Sequence, residues 1–507
     1  MNANLYAIFH AGFSADPSAV FLRDHHGKTL SFAGLKEMTG RFAALLLSSG
    51  VRPGDRVACQ VENSPQNIGL YLAALQVGAI FLPMNPAYTE PEVRFFLDDA
   101  EPAVFVTSAA KAAGLGALAG ASAPRHIFTL EADGSGSLAD QAARLVPLDE
   151  IAERASGDVA AILYTSGTTG RSKGAMLTHG NLASNVRTLH AAWGFRPDDT
   201  LLHALPLFHI HGLFVATNLM LLNRGKMILL PKFDPALVIQ HLPDATLFMG
   251  VPTYYTRLLA HPQFGAERCK TIRLFVSGSA PLLSETFAAF ADRTGHAILE
   301  RYGMTETGMN CSNPLDGERR PGTVGPALPG VEVRICDKHG RALPRGEIGV
   351  IEVRGPNVFS GYWRLPEKTA EEIRGDGFFI TGDLGTMSDD GYVTIIGRDK
   401  DMIISGGLNV YPKEIEDALN DLPGVVESAV FGVPHADFGE AVMAVVVAAP
   451  GMTVDEKAAR DALSARLARF KIPKRILAVA ELPRNTMGKV QKSALRERYK
   501  DGLGSGR

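Results

Sequence analysis

Cysteine is scarce in this chain: there are 4 among 507 residues, at Cys59, Cys269, Cys311 and Cys336. None forms a CxxC pair, so neither a zinc framework nor a disulfide scaffold is supported, and a reducing, cytoplasmic setting is expected. An excess of either charge is also lacking. Lys and Arg number 51 against 54 Asp and Glu, a formal net charge of -3, which speaks against nucleic-acid or anionic-membrane partners. Long apolar runs are missing too. The longest, around Gly212 to Leu222, is interrupted by Thr217 and Asn218 and is too short to span a bilayer. The opening "MNANLYAIFHAGF" has no basic start followed by an apolar core, so no signal peptide is expected.

What is present is length and alternation. A chain of 507 residues exceeds one compact core and points to about three domains. Up to about residue 320, apolar strand-like runs alternate with amphipathic helical stretches. "DRVACQV" precedes "SPQNIGLYLAALQVGAI", with Ser64 as helix cap and Pro65 in the first turn, and "YTEPEVRFFLDD" repeats that grammar with Thr89 before Pro91. "TLLHALPL", "KMILLP", "ATLFMG" and "IRLFVSG" continue it, which predicts α/β layers with largely parallel sheets. Residues 109–158 are Ala- and Gly-rich with weak patterning, and a connection between domains is expected there. From Gly322 the runs "VEVRICD", "EIGVIEVRG", "GFFITGD" and "GYVTIIG" are short and turn-separated, predicting a β-rich subdomain. The charged "RDKD" reads as a hinge into a last segment of its own.

The sharpest chemical signal is "AAILYTSGTTGRSKGAML". An apolar strand leads into Thr165, Ser166, Gly167, Thr168, Thr169, Gly170 and Lys173. Glycines let the backbone turn tightly and aim N–H groups at an anion, while hydroxyls and one Lys add donors, a composition suited to a triphosphate. The spacing is not that of a Walker loop, so a P-loop kinase or NTPase is excluded.

"YTSGTTGRSKG" resembles the signature loop of the adenylate-forming superfamily, which includes acyl-CoA synthetases, luciferases and peptide-synthetase adenylation domains. Further stretches match in the family's order over nearly the whole chain. The resemblance implies an adenylate-forming enzyme fold: an N-terminal adenylation domain over residues 1–398, with α/β sheets to about 320 and a β-rich subdomain over about 321–398. A small, mobile α+β C-terminal domain over 399–507 follows. It also implies ATP as cofactor, magnesium, and coenzyme A as co-substrate. By the same resemblance "VSGSAPL" brings Gly278, Ser279 and Ala280 to the adenine, and "RYGMTE" brings Tyr302 to stack on it beside Gly303. Thr305 goes to the α-phosphate and Glu306 to the metal; Asp383 goes to the ribose and Arg398 to ribose or phosphate. "LPRNTMGKVQK" places Lys489 as the catalytic lysine, stabilising charge on the transferring oxygens. Lys400 aligns with the hinge, and Gly406 and Gly407 with the pantetheine tunnel. A lysine acetyltransferase and deacetylase acting on Lys489 are expected as partners by analogy.

The acid is the open question. The acyl pocket is expected between "LPLFHIHGLF", "MGVPTYYTRLL", "SGSAPL" and the residues around "RYG". A fatty or aryl acid needs an apolar pocket, yet Arg301 stands immediately before Tyr302. A guanidinium there must be exposed, paired with a protein acid such as Glu300, or paired with an anionic substrate. These blocks closely resemble the malonyl-CoA synthetases of the superfamily, where the equivalent arginine receives the distal carboxylate. That implies a short dicarboxylate, malonate, with methylmalonate as a side substrate. His209 falls where the family has a histidine at the acyl site, and Arg257 is a second carboxylate candidate or a surface residue. The alternatives are a synthetase for another short-chain acid, a stand-alone adenylation domain charging a carrier protein, and a non-catalytic nucleotide-binding protein.

Overall fold

The computed structural model describes residues 2–13, 15–114, 123–165, 172–405, 408–435, 438–485 and 488–500. By packing, the chain divides into two units. The first takes residues 1–278, 282–332 and 353–379; the second takes 279–281, 333–352 and 380–507.

The first unit holds two sheets. Its 6-stranded sheet runs His126–Thr129, Val104–Thr107, Arg56–Gln60, Ile80–Pro83, Val159–Thr165, Lys173–Thr178, parallel except for the last pair. Its 8-stranded sheet runs Gly308–Ser312, Leu299–Met304, Leu274–Ser277, Leu247–Gly250, Thr200–His203, Lys226–Leu229, Val20–Asp24, Thr29–Ser31. The edge pair at each end is antiparallel and the interior is parallel. Parallel strands need helical crossovers that cover both faces, which is why these strands read as continuous apolar runs. One face of the larger sheet packs Leu202, Phe248, Phe275 and Ile298 against Tyr255 and Phe290. The Phe275 and Phe290 rings meet edge to face at 4.9 Å.

The caps act as the sequence predicts. Ser64 accepts from the Asn67 N–H at the start of Pro65–Gln76, and Glu92 accepts from the Thr89 N–H at 2.7 Å at the start of Glu90–Ala100. Residues 109–158 depart from expectation. They supply the helix Ala109–Gly114, the sheet strand His126–Thr129 and the helix Ser137–Ala142, all within the first unit. Edge elements bury little, so their apolar pattern is weak, and the segment is not a link between domains.

The second unit contains most of a 4-stranded sheet, Glu332–Cys336, Gly349–Arg354, Phe379–Met387 and Val393–Arg398. A 5-stranded sheet around Val425–His435 and Gly439–Ala448 follows. The helices Pro412–Asn420 and Glu456–Ser464 pack on one face of the latter, and Leu495 of Lys492–Tyr499 packs on the other.

Candidate functional site

The strand Leu299–Met304 turns at residues 305–307 into its antiparallel partner Gly308–Ser312, so Thr305 and Glu306 occupy a hairpin tip. Tyr302 lies buried on that strand. Next to it, a Cβ on Gly303 would lie 2.0 Å from the Gly308 carbonyl oxygen, so only glycine lets the hairpin close. Glu306, also buried, accepts from the Tyr362 hydroxyl at 3.1 Å and from Thr165 Oγ1 at 3.3 Å. Thr165 ends its strand opposite Lys173 in antiparallel register, which brackets the phosphate-binding motif. Ser166, Gly167, Thr168, Thr169 and Gly170 lie outside the described residues.

Lys173 is not a solvated loop lysine. Its Nζ lies 2.9 Å from Glu372 Oε1 and 4.0 Å from the centre of the Tyr362 ring. The Tyr362 hydroxyl also reaches Glu372 Oε2 at 2.7 Å. Burial, Glu306 and Glu372 together push the Tyr362 hydroxyl well above its ordinary pKa, so it keeps its proton. Burial alone would raise Glu372, but hydrogen bonds from Tyr362 and Lys173 outweigh it and hold the carboxyl below its usual range. Sequence reasoning missed Tyr362 and Glu372, because "SGYWRLPEKTAEEI" carries no chemical signature of its own. Among the described residues no group of three or more His, Cys, Asp or Glu could hold a metal ion. A lone carboxylate flanked by hydroxyls fits magnesium that arrives on phosphate and keeps most of its waters.

A second cluster, of buried cationic and imidazole side chains, lies on the other face of the 8-stranded sheet from the aromatic core. Strand alternation places His203 and Arg301 on that shared face, away from Leu202, Phe248 and Phe275. Glu300 points to the opposite face and accepts from the Leu282 N–H at 3.2 Å, so the strand does not offer it to Arg301. Arg301 is 3% exposed, and its Nε and Nη2 have no hydrogen-bond partner among the described residues. Burial pushes the guanidinium down to about 9, with Tyr255 opposing. It lies against Gly278, where a Cβ would come 2.4 Å from Cζ.

The wide π-helical turn His211–Thr217 adds His211 to this cluster, and His209 precedes it by two residues. Gly212 permits the turn, since a Cβ there would lie 2.0 Å from the Pro206 carbonyl oxygen. His211 is fully buried and held neutral by burial first, then by Arg301, His209 and His203. His209 Nδ1 accepts from the His211 backbone N–H at 3.2 Å. His203 is 0% exposed, and neither of its ring nitrogens has a partner among the described residues. It was not singled out in the sequence, since a histidine ending an apolar strand reads as core. Arg257 is exposed on the helix Pro252–Ala260. Ser279 adopts φ 72 without being glycine, a strained backbone in the middle of "VSGSAPL".

In the second unit Asp383 and Arg398 stand opposite each other in antiparallel register, with Arg398 Nε 2.7 Å from Asp383 Oδ1. Lys489 is clipped to Asn485 by its backbone. The Asn485 N–H donates to the Lys489 carbonyl and Asn485 Oδ1 accepts from the Lys489 N–H, both at 2.9 Å, while Gly488 takes φ 73. The Lys489 residue is exposed, yet burial of its ammonium lowers its pKa, with Arg398 and Lys400 adding and Asp383 and Asp401 opposing. Lys400 is exposed, and its neighbour Asp401 pairs with Arg496 at 2.8 Å. Gly406 and Gly407 lie outside the described residues. No described helix is long and apolar enough to cross a membrane.

Comparison with known proteins agrees with this arrangement. Residues 9–363 match the model of the AMP-binding enzyme family, and residues 414–489 match its C-terminal domain. The structure of ATP-bound MatB from Rhodopseudomonas palustris superposes with a TM-score of 0.97 at 55% identity, covering 99% of this chain and 100% of that one. A feruloyl-CoA synthase of an Amycolatopsis species is 38% identical over 95% of this chain and 96% of its own. A malonate–CoA ligase of Arabidopsis thaliana is 33% identical over 98% of this chain and 89% of its own. The chain belongs to the AMP-binding enzyme family, as an adenylate-forming acid–CoA ligase similar to malonate–CoA ligases.

Proposed function

We propose that this enzyme ligates malonate to CoA through a malonyl adenylate, consuming ATP and releasing AMP and pyrophosphate. One observation carries the choice of acid: a buried guanidinium, Arg301, with two nitrogens that have no hydrogen-bond partner among the described residues. An unpaired buried charge costs several kcal/mol, and a carboxylate on the substrate supplies the missing counter-charge through parallel N–H···O bonds. His209 joins this reading through His211, which it contacts and which lies close enough to Arg301 to feel its charge, and Arg257 remains a second carboxylate candidate at the exposed surface of its helix.

In the first half-reaction a malonate carboxylate oxygen attacks the α-phosphorus, the bond to the bridging oxygen breaks and pyrophosphate leaves. Tyr302, with Gly303 and the Gly278–Ser279–Ala280 backbone, holds the adenine, and Asp383 and Arg398 hold the ribose. Thr305, Thr165, Lys173 and the signature loop bind phosphate, and Lys489 neutralises the charge building on the transferring oxygens. Glu306 would hold magnesium, which supplies further charge neutralisation on the phosphates. In the second half-reaction the CoA sulfur attacks the acyl carbon, AMP leaves, and the thiol proton goes to solvent. Rotation of the C-terminal domain about Lys400 would exchange Lys489 for the Gly406–Gly407 segment between the two steps. Methylmalonate adds one methyl, worth only about 1–3 kcal/mol, and is a side substrate in this reading.

The test is a panel of acids assayed for pyrophosphate release and CoA-thioester product. Malonate is expected to exceed butyrate and acetate in kcat/KM by about 30-fold or more. Butyrate matching malonate would remove the dicarboxylate from the reading while leaving the ligase chemistry in place.

A further inference from the structure

Four side chains of the first unit form one chain of contacts that the proposed roles do not explain. Lys173 Nζ meets Glu372 Oε1 at 2.9 Å, Glu372 Oε2 meets the Tyr362 hydroxyl at 2.7 Å, and that hydroxyl meets Glu306 Oε1 at 3.1 Å. The geometry is fixed by backbone. Tyr362 is 2% exposed and bridges to Ala175 on the strand Lys173–Thr178, while its N–H donates to Thr369 Oγ1 at 2.9 Å. The short helix Pro366–Glu372 then returns Glu372 to it.

Tyrosine has one hydroxyl proton, and two carboxylates compete for it. When Tyr362 donates to Glu306 it shields the carboxylate that would take the cation. When it donates to Glu372 that shield is withdrawn. Which way it points depends on the charge at Glu372, and Lys173 is the buried cation that sets it. A triphosphate drawing Lys173 away leaves Glu372 with Lys368 at 3.3 Å, on the more exposed side of the pair. Glu372 then takes the Tyr362 proton more strongly, and Glu306 turns to the cation.

We propose that Tyr362 and Glu372 are positioning residues that couple the phosphate lysine to the metal carboxylate, so that capture of Lys173 by the triphosphate readies Glu306 for the divalent cation. This rests on the roles given above to Lys173 and Glu306.

The experiment is calorimetric titration of the full chain with ATP, without acid or CoA, at zero and saturating magnesium. The readout is the ratio of the two Kd values. Contact between ATP and magnesium itself contributes equally in every variant, so changes in the ratio belong to the protein. In Glu372→Gln, where Tyr362 stays on Glu306, the ratio of the magnesium-free Kd to the magnesium-saturated Kd should fall by about fivefold or more, the range of ordinary coupling between sites. Tyr362→Phe has no hydroxyl to shield Glu306, so adding Glu372→Gln to it should change the ratio no further. Thermal unfolding of each variant guards against misfolding. An unchanged ratio in folded Glu372→Gln, or an equal fall with and without the Tyr362 hydroxyl, would overturn the coupling. Lys173→Ala and Glu306→Gln distinguish that failure from failure of the underlying roles. The first should weaken nucleotide binding and the second should abolish most of the magnesium effect; no change in either would overturn the roles themselves.

Discussion

A guanidinium withdrawn from water costs several kcal/mol unless a counter-charge meets it, and in this enzyme the neighbours of Arg301 are arranged to leave it waiting. Glycine at 278 is part of that arrangement, because the guanidinium occupies the volume a Cβ would need, 2.4 Å from Cζ. Gly278→Ala must displace the charge rather than remove it. Misplacement by about 1 Å can cost on the order of 100-fold. Initial rates should therefore show kcat/KM for malonate falling roughly 10- to 100-fold, with butyrate changed far less. Equal losses for both acids would mean that Gly278 serves the nucleotide alone. Arg301 was legible from sequence as a charge beside a nucleotide-handling tyrosine. Its lack of a partner was not, since only strand alternation in the folded sheet sends Glu300 the other way. His203, Tyr362 and Glu372 were illegible for a related reason: each looks like ordinary core or surface until the chain brings it beside a charge.

At the scale of elements, strands and caps followed from local rules. "ATLFMG" and "IRLFVSG" became adjacent parallel strands, and Ser64 and Thr89 began their helices. The π-helical turn at His211–Thr217 did not follow, because its apolar residues fit a helical period and the extra residue in the turn depends on Gly212 packing over Pro206. Residues 109–158 were misjudged because edge elements show little periodicity. The N-terminal helix Leu5–Phe13 carries a pH dependence. The Leu5 N–H donates to His179 Nδ1 at 3.0 Å, so that nitrogen cannot also take a proton. Burial, with Arg154 adding and Asp158 opposing, lowers His179 to about 4. An unfolded histidine titrates near 6.5, so from about pH 6.5 down to about 4 the unfolded chain binds the extra proton. Stability falls as pH falls through that window, by up to ~1.4 kcal/mol per unit for this residue. His203, lowered to about 3, acts with the same sign. Hydrogen exchange, corrected for intrinsic rates, should show the amides of Leu5–Phe13 less protected at pH 5 than at pH 6.5. Equal protection would mean that His179 is not the clip.

At the scale of the whole molecule, family membership was readable from a series of motifs in the family's order, because the chemistry of a nucleotide leaves little choice of residue. The acid proposed for it rests on one position, Arg301. Two half-reactions on one chain also make a division of labour testable. The Lys489 backbone is held by two hydrogen bonds to Asn485. Lys489→Ala should reduce adenylate formation by about 10²–10³, while thioester formation from supplied malonyl adenylate stays within a few-fold of wild type. Equal loss in both halves would sink that division.

In the proposed reaction Arg301 receives the second carboxylate of malonate. The most direct test is the ratio of kcat/KM for malonate over butyrate, by pyrophosphate release, in wild type and in Arg301→Ala. Truncating one partner of a desolvated charge pair costs about 2–5 kcal/mol, so the ratio should collapse by roughly 30-fold or more, mainly through loss of malonate turnover. A ratio that survives the substitution unchanged would contradict the account.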